Sequence, residues 1–589
     1  MKIKRWLSTM LAAVMLTGLT ACGGGANSSA GTHEPITIMD ANRDYDGLAE
    51  LVREQYPEIN LQIEAYHGQN TSAYMAKQLK TGDMPDIYSS TQAWNEDWQK
   101  ENLIDLAQYP VTDLYNEVRM NDTEVDGATY LIPYDFKILS LCYNKTLFDK
   151  HGWKAPQSFT ELQALVPQIK AAGVNVSACQ MNLPGFGFQY LCNIADTVFL
   201  RTVEGRKWQE DFLSGKVNAD ALQSSVDYMQ KWIDLGVISM AQSDMDVGDV
   251  QKLFFAGNTA FFIGNTPRLT QNEDGTGDQY AILPYLSPNG GSNMYIVQVN
   301  RYYGLSKQLA EKGNEQKLED ALHVLEVLST LDGYQAVRSE EASAMCTLKE
   351  FEIPDDSPYH QAMEEINKGH SAPLLYSGWE DYLVTVGNKG RDWAAGKCTA
   401  ADILSAFNSI QSEIKERGSD FNVCAEVTEP LDNEQTAQLI GRIFVEATDA
   451  DAALISRNEW KDGITVHEEN GEGVSGHIMV GPLTEEDIVS VLPTGWYGTI
   501  EAITLSGSRL KKLAAFGYDL HGDGDTYPYT LVTKDGAEID DSTTYTVVVC
   551  GAPCEVLEQN NVQSTGVVGL DAAEDYLKKL GTLSPEALQ

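Results

Sequence analysis

The sequence predicts a mixed α/β chain of at least two units, and three observations carry that reading. Residues 35–90 alternate strand-like and helix-like runs. From about residue 155 to 420 the pattern is mainly helical. Beyond about 420 the composition turns acidic, with 29 Asp and Glu against 9 Lys and Arg over 425–589. A chain of 589 residues has room for several cores, at roughly 100–200 residues per domain.

In chain order, Lys2, Lys4 and Arg5 precede an apolar run from Met10 to Leu19. Leu19-Thr20-Ala21-Cys22 follows, and then Gly23-Gly24-Gly25-Ala26-Asn27-Ser28-Ser29. This reads as an export signal over 1–21, cut before a thiol, and a flexible tether over 22–34. Ile36 and Ile38 then alternate with polar residues, as a half-buried strand does. Leu48, Leu51, Val52 and Tyr56 recur at helical spacing, and Pro57 ends that helix. Leu61-Gln62-Ile63 alternates again. Tyr74 to Leu79 reads as a second helix, broken by Gly82 and Pro85 before a strand at Ile87-Tyr88. Strand–helix–strand–helix–strand implies parallel pairing with right-handed crossovers. Further on, Ser158 and Glu161 have the spacing of a capping box at the start of a helix over 157–173. Helices are also predicted at 219–235, where Trp232 falls on the core face, and at 316–331. The domain boundary falls at about 420–427, with a solvent-facing acidic unit of short strands and Gly- and Asp-rich turns beyond it.

The formal charge is -43. So acidic a surface excludes nucleic acid, whose phosphates demand a basic one. It also excludes electrostatic adhesion to anionic lipid. Eight cysteines remain besides Cys22, at 142, 179, 192, 346, 398, 424, 550 and 554. They form no C-x2-C pair, so a zinc ribbon is not expected, and they are too sparse for a disulfide scaffold. Buried free thiols are expected. No metal site and no cofactor are predicted. No stretch after the signal reaches the ~18 apolar residues of a membrane span.

The Leu19-Thr20-Ala21-Cys22 segment resembles the lipobox of bacterial lipoproteins. That resemblance implies a diacylglyceryl group on Cys22 and a lipid anchor on the outer face of the cell membrane. Two acyl chains hold stably, each buried methylene contributing about 0.8 kcal/mol.

Four segments resemble, in order, the extracellular solute-binding proteins of ABC importers that carry sugars. These are Gly82-Asp83-Met84-Pro85-Asp86-Ile87; Tyr130-Leu131-Ile132-Pro133-Tyr134 with Tyr143-Asn144-Lys145-Thr146-Leu147-Phe148; Pro156-Gln157-Ser158-Phe159-Thr160-Glu161-Leu162; and Phe254-Phe255-Ala256-Gly257-Asn258-Thr259-Ala260-Phe261. The resemblance covers 35–424 and implies a periplasmic-binding-protein-like fold. Its two α/β lobes, the second mostly helical, hold a ligand between them. The partners it implies are a carbohydrate and ABC permease subunits, with the protein a monomer. Sugar hydroxyls and C–H faces call for carboxylates, amides and aromatic platforms in a concave site. The candidates are Trp379 in Tyr376-Ser377-Gly378-Trp379-Glu380, Asp135 at the crossing between lobes, and Trp94 after the Ile87-Tyr88 strand. Phe186 in a Gly-rich aromatic segment, and Asn265 and Arg268 in Gly264-Asn265-Thr266-Pro267-Arg268, complete the set. Trp94 and Trp98 lie four apart, which also suits one packed helix face.

Residues 425–589 resemble the C-terminal α/β domain of 5′-nucleotidases. The resemblance rests on Gly481-Pro482-Leu483-Thr484-Glu485-Glu486-Asp487-Ile488 followed by Leu492-Pro493, on Ile503-Thr504-Leu505-Ser506-Gly507-Ser508-Arg509-Leu510, and on Thr544-Tyr545-Thr546-Val547-Val548-Val549. In those enzymes a separate metallophosphatase domain performs the chemistry, and no Gly-His-x-His or Gly-Asn-His-Asp/Glu motif stands here. Asp519-Leu520-His521-Gly522-Asp523 imitates one ligand motif without companions. Where the family carries a glycine pair and an arginine after its Ala-Leu-Ile strand, this chain reads Ser456-Arg457-Asn458-Glu459-Trp460. A spacer or docking role is therefore expected. No P-loop, H-E-x-x-H or G-x-S-x-G motif occurs. A binding protein rather than an enzyme is expected, with a nucleotide-processing protein and a surface glycan receptor without transport as the open alternatives.

Overall fold

The structure, a computed structural model, describes residues 31–39, 45–64, 66, 71–91, 93, 96–267, 269, 277–337, 344–375, 379–417, 423–461, 464–466, 473–491, 499–516, 529–550 and 562–588.

Ile36 and Ile38 are fully buried in the strand Ile36–Met39, and the helix Asp46–Gln55 lays Leu48 and Val52 in the same core. The strand Leu61–Glu64, the helix Thr71–Thr81 and the strand Ile87–Ser90 follow. The three strands are parallel, with Ile36 opposite Leu61 and Ile38 opposite Ile87. This is the pairing that a strand–helix–strand rhythm demands. Four later strands complete a seven-stranded sheet: Ile132–Ile138, Tyr295–Leu305, Ala344–Cys346 and Ser371–Pro373.

The second lobe packs helices around a four-stranded sheet of Leu141–Asn144, Asn175–Cys179, Thr259–Ile263 and Tyr280–Leu283. Its helix Phe159–Ala171 opens on Ser158, whose hydroxyl accepts the Glu161 N–H at 3.2 Å. The Glu161 carboxylate in turn accepts the Gln157 N–H at 2.8 Å, so two helix-start donors are satisfied. The helix Gln223–Leu235 buries Trp232 completely.

Two strands run from one lobe to the other. Along Ile132–Ile138, Ile132 and Tyr134 pack in the first lobe's core, whereas Phe136 and Ile138 join a separate cluster with Cys142, Phe254 and Phe262. Along the antiparallel Tyr295–Leu305 strand, Ile296 lies in the second lobe's core and Tyr303 and Leu305 in the first.

Beyond Arg417 the chain builds a five-stranded sheet, in the order Tyr529–Thr533, Ala452–Ser456, Thr544–Cys550, Thr499–Ser506, Gln563–Val568, beside a three-stranded one. Val547 and Val548 are fully buried, as the apolar run 544–549 requires. The helix Asn433–Thr448 starts on a reciprocal cap, the Asp432 side chain taking the Gln435 N–H at 2.8 Å and Gln435 returning to the Asp432 N–H at 3.0 Å.

Among the described residues Cys142, Cys179, Cys192, Cys346 and Cys398 are free thiols, all but Cys398 buried. Burial pushes Cys142, Cys179 and Cys346 up to about 12, so none is a thiolate nucleophile at neutral pH. No described helix is long and apolar enough to cross a membrane.

One buried group makes the second lobe sensitive to pH. Asp196 is 4% exposed and its Oδ2 has no hydrogen-bond partner. Burial raises its carboxyl to about 7 against a smaller pull from Arg201. An acid raised in the folded state binds its proton more tightly there than in the unfolded chain. Stability is therefore lost as pH rises from about 4 to about 7 and is flat above. Asp196→Asn should raise unfolding stability at pH 8 by about 2 kcal/mol more than at pH 5, read by urea denaturation. An equal gain at both pH values would contradict a buried titrating carboxyl.

Candidate functional site

The two sheets mark where a ligand would be held. In open α/β sheets, ligands bind outside the carboxyl ends of parallel strands. In the first lobe those ends are Met39, Glu64 and Ser90. Because the Tyr295–Leu305 strand runs antiparallel to Ile87–Ser90, that edge faces the second lobe. In the second lobe the parallel strands Asn175–Cys179 and Thr259–Ile263 end at Gln180 and Gly264, on the edge where Leu141 enters from the first lobe. The carboxyl ends of both sets of parallel strands therefore lie toward the crossing strands, which is where a ligand cleft with those strands as its floor is expected.

Polar side chains converge on the first-lobe side of that floor. The Tyr45 hydroxyl bonds the Ser89 Oγ at 2.9 Å and the Tyr303 hydroxyl at 2.8 Å. Arg301 Nη1 donates to the same Ser89 Oγ at 3.3 Å. Arg301 and Asp135 stand directly opposite one another across the crossing strands, and both are buried. The register slips between Val299 and Arg301, leaving Asn300 as an extra residue in the ladder. Such a bulge re-aims a side chain, and the buried Asn300 Nδ2 has no hydrogen-bond partner. A half-buried run, Gln298-Val299-Asn300, therefore lies between the lobes. It can offer amide donors and acceptors to a hydroxylated ligand.

On the second-lobe rim Asn265 is exposed, and its backbone N–H is held by Gln180 Oε1 at 2.7 Å. The Tyr190 hydroxyl donates to the carbonyls of Gln180 at 2.6 Å and Ile263 at 3.1 Å, which locks the two strand ends together. Among the described residues no group of three His, Cys, Asp or Glu could hold a metal.

Of the candidates read from the sequence, Asn265 lies on the cleft rim and Asp135 in its floor, buried beneath the surface. Two others are corrected. Trp379 is no platform on a loop: it precedes the helix Glu380–Ala394, is 3% exposed and belongs to the second lobe's core. Its ring stacks on Phe212 with centroids 5.7 Å apart and lies 5.3 Å from Tyr382. Phe186 is not on a loop either. Pro184 opens a helix to Ala195, in which Phe186, Phe188 and Tyr190 are all buried. The glycines that suggested a loop serve helix packing, since a Cβ on Gly187 would lie 2.2 Å from the Gly387 carbonyl oxygen. Trp94, Arg268, Cys22 and the Asp519–Asp523 stretch lie outside the described residues. Trp98 is half-buried, its ring 5.4 Å from Tyr88. Sequence reasoning missed Tyr45, Ser89, Asn300, Arg301 and Tyr303. They are up to 258 positions apart and only the sheet assembles them.

Known proteins agree with this architecture. Residues 41–313 match the family model described as bacterial extracellular solute-binding protein. Maltodextrin-binding protein MdxE of Bacillus subtilis (strain 168) is 22% identical over 444 residues, 70% of this chain and 99% of that protein. An uncharacterized ABC transporter extracellular-binding protein of Pyrococcus horikoshii is 21% identical over 273 residues, 43% of this chain and 64% of that one. Among solved structures, the binding protein MsmE of Bacillus subtilis in an open conformation superposes with a TM-score of 0.55 at 15% identity, covering 65% of this chain and 98% of its own. Over residues 41–313 the chain is thus similar in sequence to bacterial extracellular solute-binding proteins, and its two lobes share their fold.

Proposed function

We propose that the protein captures a sugar or oligosaccharide outside the cell and delivers it to the permease of an ABC importer, held to the membrane by a lipid on Cys22. The observation that carries the ligand class is the cleft floor itself. It presents the half-buried side-chain amides of Gln298 and Asn300, and the Asn300 Nδ2, which has no hydrogen-bond partner, can donate to a ligand hydroxyl. The relative named for maltodextrin and the one named for an ABC transporter support the same reading. Closure of the lobes traps the ligand, and the closed form is the one the permease accepts. Residues 425–589 are read as an orphan nucleotidase-type domain that performs no hydrolysis.

One calorimetric screen on residues 30–589, with maltodextrins, other oligosaccharides and nucleosides, tests the reading. A sugar should bind, and Asn300→Ala should weaken it by about 1–2 kcal/mol, the value of a hydrogen bond to a buried donor. Nucleoside binding without any sugar binding would overturn the assignment. Unchanged sugar affinity in Asn300→Ala would remove that residue from the site.

A further inference from the structure

The C-terminal unit makes contacts with the lobes that are unequal in kind. It is joined to the second lobe covalently. The helix Ala400–Arg417 packs Ile403, Phe407 and Ile410 into that lobe's core, and the next described residue, Val423, begins the first strand of the C-terminal unit. With the first lobe it shares an apolar cluster and a polar network. Tyr66, Tyr74 and Met75 belong to one continuous cluster with Ile478, Leu483 and Ile488.

The network centres on His477. Its Nε2 donates to Asp83 at 2.5 Å, and its Nδ1 faces Glu64 at 3.2 Å and the Tyr74 hydroxyl at 2.9 Å. Tyr74 in turn donates to Glu64 at 2.5 Å and accepts the His477 backbone N–H at 3.1 Å. Burial alone would lower the imidazole, but the hydrogen bonds and charges of Asp83 and Glu64 outweigh it and lift His477 to about 10, so it is charged at neutral pH. Around this hub the Tyr66 hydroxyl donates to the Ser490 carbonyl at 2.9 Å. Lys77 pairs with Asp487 at 3.3 Å and donates to the Pro482 carbonyl. Gly476 has φ +67°, and a Cβ there would lie 2.4 Å from the Tyr74 hydroxyl, so the close approach of the two units depends on that glycine.

We propose that the C-terminal unit is a strap across the two lobes, docked on the first and tethered to the second, that limits how far they separate. The tether from Arg417 to Val423 is six steps long and spans at most about 20 Å when fully extended. Any opening that carries the end of the Ala400–Arg417 helix beyond that reach must first break the His477 network. The lobes are thus joined by the two crossing strands, by the chain that runs from Cys346 to Trp379, and by a connection through the C-terminal unit that can be undone. The inference rests on the two-lobed fold and not on the identity of the ligand.

The test measures separation of the lobes in the full chain without ligand. Ketone-bearing residues at the exposed positions Glu54 and Gln168, one on each lobe, take nitroxide labels without touching the native thiols. Double electron–electron resonance then reads their distance. Three proteins are compared: the parent; a chain with twenty Gly and Ser residues inserted after Ser419; and the double variant His477→Ala/Lys77→Glu, which removes the hub and sets a carboxylate against Asp487. The insertion should broaden the distribution to distances at least 5 Å longer while hydrogen exchange over 71–81 stays protected. The double variant should broaden it similarly and lose that protection. Circular dichroism equal to the parent's shows that both remain folded. A parent-like distribution in the lengthened chain overturns the tether. A parent-like distribution in a double variant that has lost protection over 71–81 overturns the strap as a whole.

Discussion

Trp379→Ala is expected to lower the unfolding free energy by about 3–5 kcal/mol, the range for deleting a buried aromatic. The ring lies within a group formed by Phe188, Trp208, Phe212, Tyr382 and Phe407, with centroid distances of 5.3–6.3 Å. These side chains come from four separate helices, so the group joins the segments 184–195, 203–213, 380–394 and 400–417. Removing the indole loses its transfer free energy and leaves a cavity that four rigid helices cannot all collapse into. Trp379→Phe, which keeps a stacked ring against Phe212, should recover more than half of the loss. Urea denaturation followed by circular dichroism measures both. Near-parental stability in Trp379→Ala together with lost glycan binding would restore the residue to the ligand site.

That outcome also marks where sequence reading stops. The strands at Ile36 and Leu61 and the helix between them were legible because their periodicity is local: each residue's face is fixed by its own neighbours. The Ser158 cap was legible for the same reason, since donor and acceptor lie three residues apart. Trp379 and Phe186 were misread because their surroundings are set by distant chain. Gly187 looks like a loop glycine until Gly387 is seen lying against it. Tyr74 showed helical spacing but not that its hydroxyl would meet His477, 403 positions away. Asp135 stands between these cases. The pattern around Pro133-Tyr134 placed it at the crossing between lobes, but its burial and the arginine opposite it come from strand register, which one sequence does not reveal.

Asp135 and Arg301, which face each other in register, should be energetically coupled. Asp135 is fully buried and Arg301 is 2% exposed, on the two strands that tie the lobes together. Taking either charge out of water costs several kcal/mol, and facing charges of opposite sign offset much of that. Arg301→Met leaves a buried carboxylate facing an apolar chain, so it should cost about 3–5 kcal/mol. It also removes the donor that holds Ser89 Oγ, to which Tyr45 is bonded. Asp135→Asn leaves the guanidinium facing a neutral amide and should cost less, because the amide oxygen still accepts a hydrogen bond. The double variant Asp135→Asn/Arg301→Met should be more stable than the sum of the two losses implies, by about 1–3 kcal/mol, the usual coupling between residues in contact. Urea titration of all four proteins closes the cycle. Strictly additive losses would show that the two side chains merely share a register. Coupling of the expected size would make the pair a buried electrostatic pin at the point where one lobe turns against the other, and the double variant should then bind whatever sugar the calorimetric screen finds with altered affinity, although neither residue is exposed.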